Sequence, residues 1–161
     1  MIKIRKRNEA VMDIIGSIIL FGFILIIINY YNNIRDILIP TDKSMLEVVT
    51  VTLSIAVTLY ITFTFGVNIL HYLIGILGTI IIGLGLFRRG ITKNSFQSMH
   101  GLHTGSWDRI SAVNIEKSDS VKISFTSQSF FYEVQYYSWE YYEDILELLE
   151  KNLSKEILFF E

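Results

Sequence analysis

The chain has 161 residues, of which 51% are hydrophobic, a formal net charge of -2, and no cysteine. That length gives room for one domain in water or a few membrane spans with a small domain, and so large an apolar fraction favours the second. The absent cysteines exclude disulfides, thiolate catalysis and Cys-ligated metal, and the slightly acidic charge without a basic stripe argues against nucleic acid as a partner.

Charge is unevenly spread. No Asp, Glu, Lys or Arg occurs from Ile14 to Ile34 or from Val48 to Phe87, whereas the last third is rich in them. The basic start "KIRKR" precedes an apolar core of about 20 residues, too long for a signal-peptide core and long enough for a hydrocarbon layer of roughly 30 Å. A first span is expected near 11–31, with Asn29, Tyr30 and Tyr31 at its interface.

"RDILIPTDKSMLE" carries the only proline, Pro40, and mixed charges, so it leaves the bilayer. The next apolar run would be about 60 Å long as one helix, twice the bilayer, and must fold back. "FGVNILHY" supplies the turn through Gly66 and Asn68, giving spans near 46–66 and 69–87. Thr50, Thr52, Thr58, Thr62 and Thr64 read as hydroxyls that bond to helix carbonyls and help helices associate, and Gly75, Gly78, Gly83 and Gly85 permit close contact. Asp13 and His71 lie near span edges, where water is within reach.

After Arg89 the apolar period changes to two. In "SVKISFT", Val121, Ile123 and Phe125 fall on one face, as a half-buried strand requires. "FFYEVQYY" sets Phe130, Tyr132, Val134 and Tyr136 against Phe131, Glu133, Gln135 and Tyr137, with the hairpin connection "TSQS" before it. "RISAVNIE" shifts phase between Ala112 and Val113, the mark of a bulge. Ser138 is placed as an N-cap for a helix over about 138–153, with Tyr141, Tyr142, Ile145, Leu148, Leu149 and Asn152 on one face and an acidic opposite face that includes Glu143 and Glu147.

The expected architecture is therefore an α-helical membrane region with three transmembrane helices, 1–89, followed by a small α+β soluble domain, 90–161. The elements "GIT" (Gly90, Ile91, Thr92) and W-D-x-I (Trp107, Asp108, Ile110), followed by a β-meander and a helix, resemble the PH-like domains of small bacterial membrane proteins. The resemblance covers Arg88 to about Leu153. It implies an antiparallel β half-barrel capped by the C-terminal helix, with Trp107 in the core and the domain acting as a binding or assembly module.

Other chemistry is weakly signalled. His100 and His103 lie three apart before Asp108, but between two glycines and without a third histidine or a cysteine they read as surface polar residues rather than a metal site. His103 and Ser106 lack the elbow motif and orienting acid of a triad, and the glycines of "GTIIIGLGLF" lack the Lys and Ser/Thr of a phosphate loop.

The leading expectation is a non-enzymatic, multi-pass bacterial membrane protein that uses no cofactor. It would display the PH-like module at the membrane surface, with Glu143 and Glu147 as a surface for a protein partner or a second copy. The bilayer is its other partner, and no small-molecule substrate is indicated. The alternative is an immunity protein against a pore-forming toxin or bacteriocin, by analogy of class; a transporter component comes third, for want of an intramembrane charge. Lys3, Arg5, Lys6 and Arg7 oppose Arg35, Lys43, Arg88, Arg89 and Lys93 across three spans, so the positive-inside rule is nearly balanced. First-helix dominance favours the N-terminus inside, whereas the resemblance to cytosolic tails favours Arg88 and Arg89 inside; the second is taken as the expectation, with the soluble domain in the cytoplasm.

Overall fold

The computed structural model describes residues 2–97, 104–127 and 132–160. The chain divides into two compact units, one made of 1–32 and 45–86 and the other of 33–44 and 87–161. Among the described residues, three helices are long and apolar enough to cross a membrane.

The first unit holds nearly all of α1 (Ile2–Arg35), whose apolar part runs over Asp13–Arg35, together with α2 (Met45–Phe65) and α3 (Ile69–Leu86). The turn between α2 and α3 follows its residues closely. The Asn68 side chain accepts a bond from the His71 amide at 3.0 Å, capping α3, and His71 Nδ1 accepts one from the Val67 amide at 3.3 Å. The Tyr72 hydroxyl donates to Gly66 O at 3.0 Å. His71 is thus used by the turn itself. On α2 the hydroxyls of Thr52, Ser54, Thr58 and Thr62 each donate to the carbonyl four residues back. Thr62 is buried where α2 meets α3, and a Cβ on Gly75 would collide with its side chain. Asp13 stays exposed, with Ser17 Oγ donating to its carbonyl.

Among the described residues, the second unit contains eight strands in two four-stranded sheets. Its first strand is a departure from the sequence reading: β1 (Ile37–Pro40) comes from the connection between α1 and α2. It pairs antiparallel with β2 (Gly90–Thr92), so this unit is discontinuous and does not begin at residue 90. Three apolar residues before a proline give too short a pattern to stand out as a strand, but Ile39 is buried and Pro40 sits at an edge where a missing N–H is tolerated. Strands β3 (Ser95–Gln97) and β4 (Thr104–Ser106) complete the first sheet in the order β1-β2-β3-β4.

A single 3-10 turn, Trp107–Arg109, leads from β4 to β5 (Ile110–Lys117) in the second sheet. There β5 pairs with β6 (Val121–Ser127) and β6 with β7 (Tyr132–Tyr137), all antiparallel. The bulge in β5 falls between Ile110 and Ala112, slightly before the position expected from its apolar phase. Val121, Ile123 and Phe125 are fully buried, as alternation predicts. On β7, Gln135 and Tyr137 are buried while Tyr136 is exposed.

Helix α4 (Tyr142–Asn152) is preceded by a 3-10 turn over Trp139–Tyr141, and Ser138 makes no side-chain cap bond to either. Ile145 and Leu149 bury its apolar face. Lys117 Nζ lies 3.9 Å from the Tyr142 ring centroid, and Trp139 Nε1 donates to Ser118 O at 3.2 Å, so the β5–β6 turn holds the start of the helix. The fold does not end with α4. Residues Leu158–Phe160 form β8, which pairs parallel to β5 and gives the order β7-β6-β5-β8.

If all three apolar helices cross, two spans, α2 and α3, lie between the connection holding β1 and the segment after α3, which puts both on one side, as the pairing of β1 with β2 requires. The natural chain has no cysteine, so single introduced thiols are unambiguous reporters. Asp36→Cys and Asp119→Cys should label together with a membrane-impermeant maleimide on one side, and Asn68→Cys only on the other. Labelling of Asp36→Cys and Asn68→Cys from the same side would refute the three-span arrangement.

Candidate functional site

The residues carrying the GIT and W-D-x-I elements serve packing. A Cβ on Gly90 would lie 2.5 Å from Ile39 O and 3.2 Å from Pro40 Cα, so glycine is what lets β1 approach β2. Trp107 and Ile110 are buried. The Trp107 ring lies 6.3 Å from both Phe96 and Phe125, which stack on each other at 4.2 Å and join the two sheets. Its Nε1 donates to Lys93 O at 3.2 Å. Asp108 is exposed, 3.4 Å from Ser106 Oγ, and is separated in role from its neighbours. His100, His103 and Gly101 lie outside the described residues, and no group of three metal-ligating side chains occurs among the described ones.

Alternation alone could not rank the two faces of β7, and the buried one is the more polar. Gln135 Nε2 donates to Gln97 O at 2.8 Å and to Glu133 Oε1 at 2.7 Å, while its Oε1 accepts a short bond from the Tyr137 hydroxyl. Gln97 Nε2 in turn donates to Asn33 O, a carbonyl of the last turn of α1, at 3.1 Å. Asp42 N donates to Tyr136 O at 2.8 Å. These bonds tie β7 to β3 and to the segment around β1. Burial holds the Tyr137 hydroxyl well above its ordinary value of 10.0; the charge of Glu133 acts in the same direction and that of Arg89 opposes it. Arg88, at the end of the third apolar run, is only 7% exposed.

A cleft of about 440 Å³ opens between β1 and α4. Leu38, Ile39 and Leu148 give it apolar walls, and Lys93, Asp144, Glu147 and Lys151 place charges around them, with Asn94 and Asn152 completing the lining. Glu147, expected on a partner surface, lies here. Glu143 is also exposed, but it is not among the lining residues. Neither Leu38 nor Lys93 could be read as a cleft residue from the sequence, because one belongs to the unrecognised strand and the other to a short turn.

No protein-family model matches the chain, and comparison with curated proteins and with solved structures gives no match either.

The Tyr137–Gln135 bond has a measurable consequence. Tyr137→Phe leaves a buried carbonyl without its donor and should destabilise the second unit by about 1–3 kcal/mol at neutral pH. A raised folded-state pKa means stability is fully present below about pH 10 and is lost as pH rises toward the folded value, because unfolding then releases a proton. Denaturant unfolding followed by tryptophan fluorescence should therefore show the natural chain losing stability above pH 10 more steeply than Tyr137→Phe. Parallel losses would contradict the assignment.

Proposed function

We propose that the chain is a non-enzymatic, multi-pass protein of the bacterial cell membrane whose second unit is a PH-like module for binding a protein partner or for self-assembly, held on the cytoplasmic side. The observation that carries this reading is the cleft between β1 and α4, where Glu147 stands with three other charged side chains over an apolar wall. Several features support it. The antiparallel sheet β1-β2-β3-β4 and the mixed sheet β7-β6-β5-β8, joined through Trp107 and with Ile145 and Leu149 of α4 in the core, are compatible with a half-barrel closed by a helix. The distinctive residues Gly90, Trp107 and Ile110 serve packing, which leaves the acidic flank of α4 as the surface for recognition.

The linkers add a constraint of chain length. One residue separates α1 from β1, and only 87–89 separate α3 from β2. At roughly 3.3–3.6 Å per residue these are short tethers. Such a module suits a partner that is itself membrane-bound or recruited to the membrane.

Purification of the natural full chain from crosslinked native membranes should recover a partner chain or a second copy. Glu147→Lys should reduce that recovery at least about tenfold while changing unfolding stability by no more than about 0.5 kcal/mol, the usual range for an exposed site. Equal recovery with Glu143→Lys and Glu147→Lys, or nothing recovered with the natural chain, would overturn the reading.

A further inference from the structure

We infer that the side of α4 lining the cleft is a contact between two copies of this chain, packed antiparallel about a twofold axis so that Glu147 of each copy meets Lys151 of the other. This inference rests on the binding-module reading and names the partner as a second copy. Three observations carry it.

The first is the order of charge along the helix. Asp144, Glu147, Leu148 and Lys151 all line the cleft, and steps of three and four residues set them on one side of α4. From its N-terminal end that side is acidic at Asp144 and Glu147, apolar at Leu148 and basic at Lys151, and the three charged residues are exposed. A side that changes sign along its length is complementary to itself when reversed, and a twofold axis performs that reversal. The second is spacing. Glu147 and Lys151 are four residues apart, a rise of about 6 Å. An axis crossing midway between them sets Glu147 level with Lys151 of the second copy, twice. Leu148 lies only about 1.5 Å from that level, so the two copies of it meet beside the axis.

The third is the state of these charges within one chain. Glu147 and Lys151 stand at the spacing of a helical ion pair, yet neither they nor Asp144 nor Lys93 makes an ion pair with a described residue. The lining is balanced in charge, Lys93 and Lys151 against Asp144 and Glu147, and the further acids Glu143 and Glu150 lie outside it. Two copies can thus meet over the cleft without setting like charges at the centre. At about 440 Å³ the cleft has room for side chains from a second copy and not for a helix about 10 Å across. The contact is therefore small, and confinement of both copies to one membrane raises their effective concentration enough for a small contact to matter.

The test uses the full chain in its membranes with Leu148→Cys as a unique thiol, since the natural chain has none. Oxidation should join two copies through a disulfide at this position, and Glu143→Cys, off the lining, should join at least about fivefold less. Added to the Leu148→Cys chain, Glu147→Lys alone or Lys151→Glu alone opposes like charges and should lower the yield at least about fivefold. Co-expression of the two singly reversed chains should restore crosslinking between them, because one copy then presents two lysines to two glutamates of the other. Both reversals in one chain should restore it as well. A small ligand or an unrelated protein gives no such rescue by mixing. Yields unchanged by either single reversal, or lowered by both without rescue in the mixture, would overturn the second-copy proposal. The binding-module reading would still stand if crosslinked membranes yield a different chain that is lost with Glu147→Lys, and recovery of neither would overturn both.

Discussion

The second unit depends on the pairing of β1 with β2. A strand drawn from the connection between two apolar helices completes a sheet whose remaining strands come after the third. The contact is close enough that only glycine fits at position 90, with Ile39 O and Pro40 Cα occupying the space of a side chain. Around this pair the neighbouring bonds accumulate: Thr41 N to Arg89 O, Asp42 N to Tyr136 O, and Gln97 to the carbonyl of Asn33. Each joins residues distant in sequence. Loss of β1 would remove an edge strand and one wall of the cleft at once.

Polar groups in this core are placed where they add specificity. A buried glutamine between two strands costs desolvation unless its amide is satisfied, and Gln135 uses both its donor and its acceptor sides. The network fixes which face of β7 turns inward, because a one-residue slip would carry Gln135 and Tyr137 to solvent and strand their partners. The aromatic stack of Phe96, Phe125 and Trp107 supplies apolar burial, and the glutamine bonds supply register.

How much of this was legible varied with the length of each pattern. The three apolar helices and the fold-back at Gly66 and Asn68 follow from charge-free runs too long for one crossing. The strand at Val121, Ile123 and Phe125 follows from strict alternation. Strand β7 was recognisable as a strand, but its inward face was not, since Tyr132, Val134 and Tyr136 are the more apolar set and the hydrogen bonds that reward Gln135 come from distant residues. Strands β1 and β8 are too short for a period to register, and β8 follows a helix that looked like the end of the fold. The paired arginines were visible as charges beside an apolar run, but nothing local indicated that Arg88 would be enclosed. The cleft needed β1, so Glu147 could be singled out for its exposure but not for its company.

The discontinuity of the second unit also sets an order of events during synthesis. Strand β1 leaves the ribosome well before β2 exists. The roughly fifty residues between Pro40 and Gly90 take about 2.5 to 10 s to make at ~5–20 residues per second. For that interval a short, apolar strand next to a newly made apolar helix has no sheet to join, and its exposed edge is open to any extended chain nearby. Brevity and a proline at its end limit that hazard, and they are properties that a strand waiting for its partner requires.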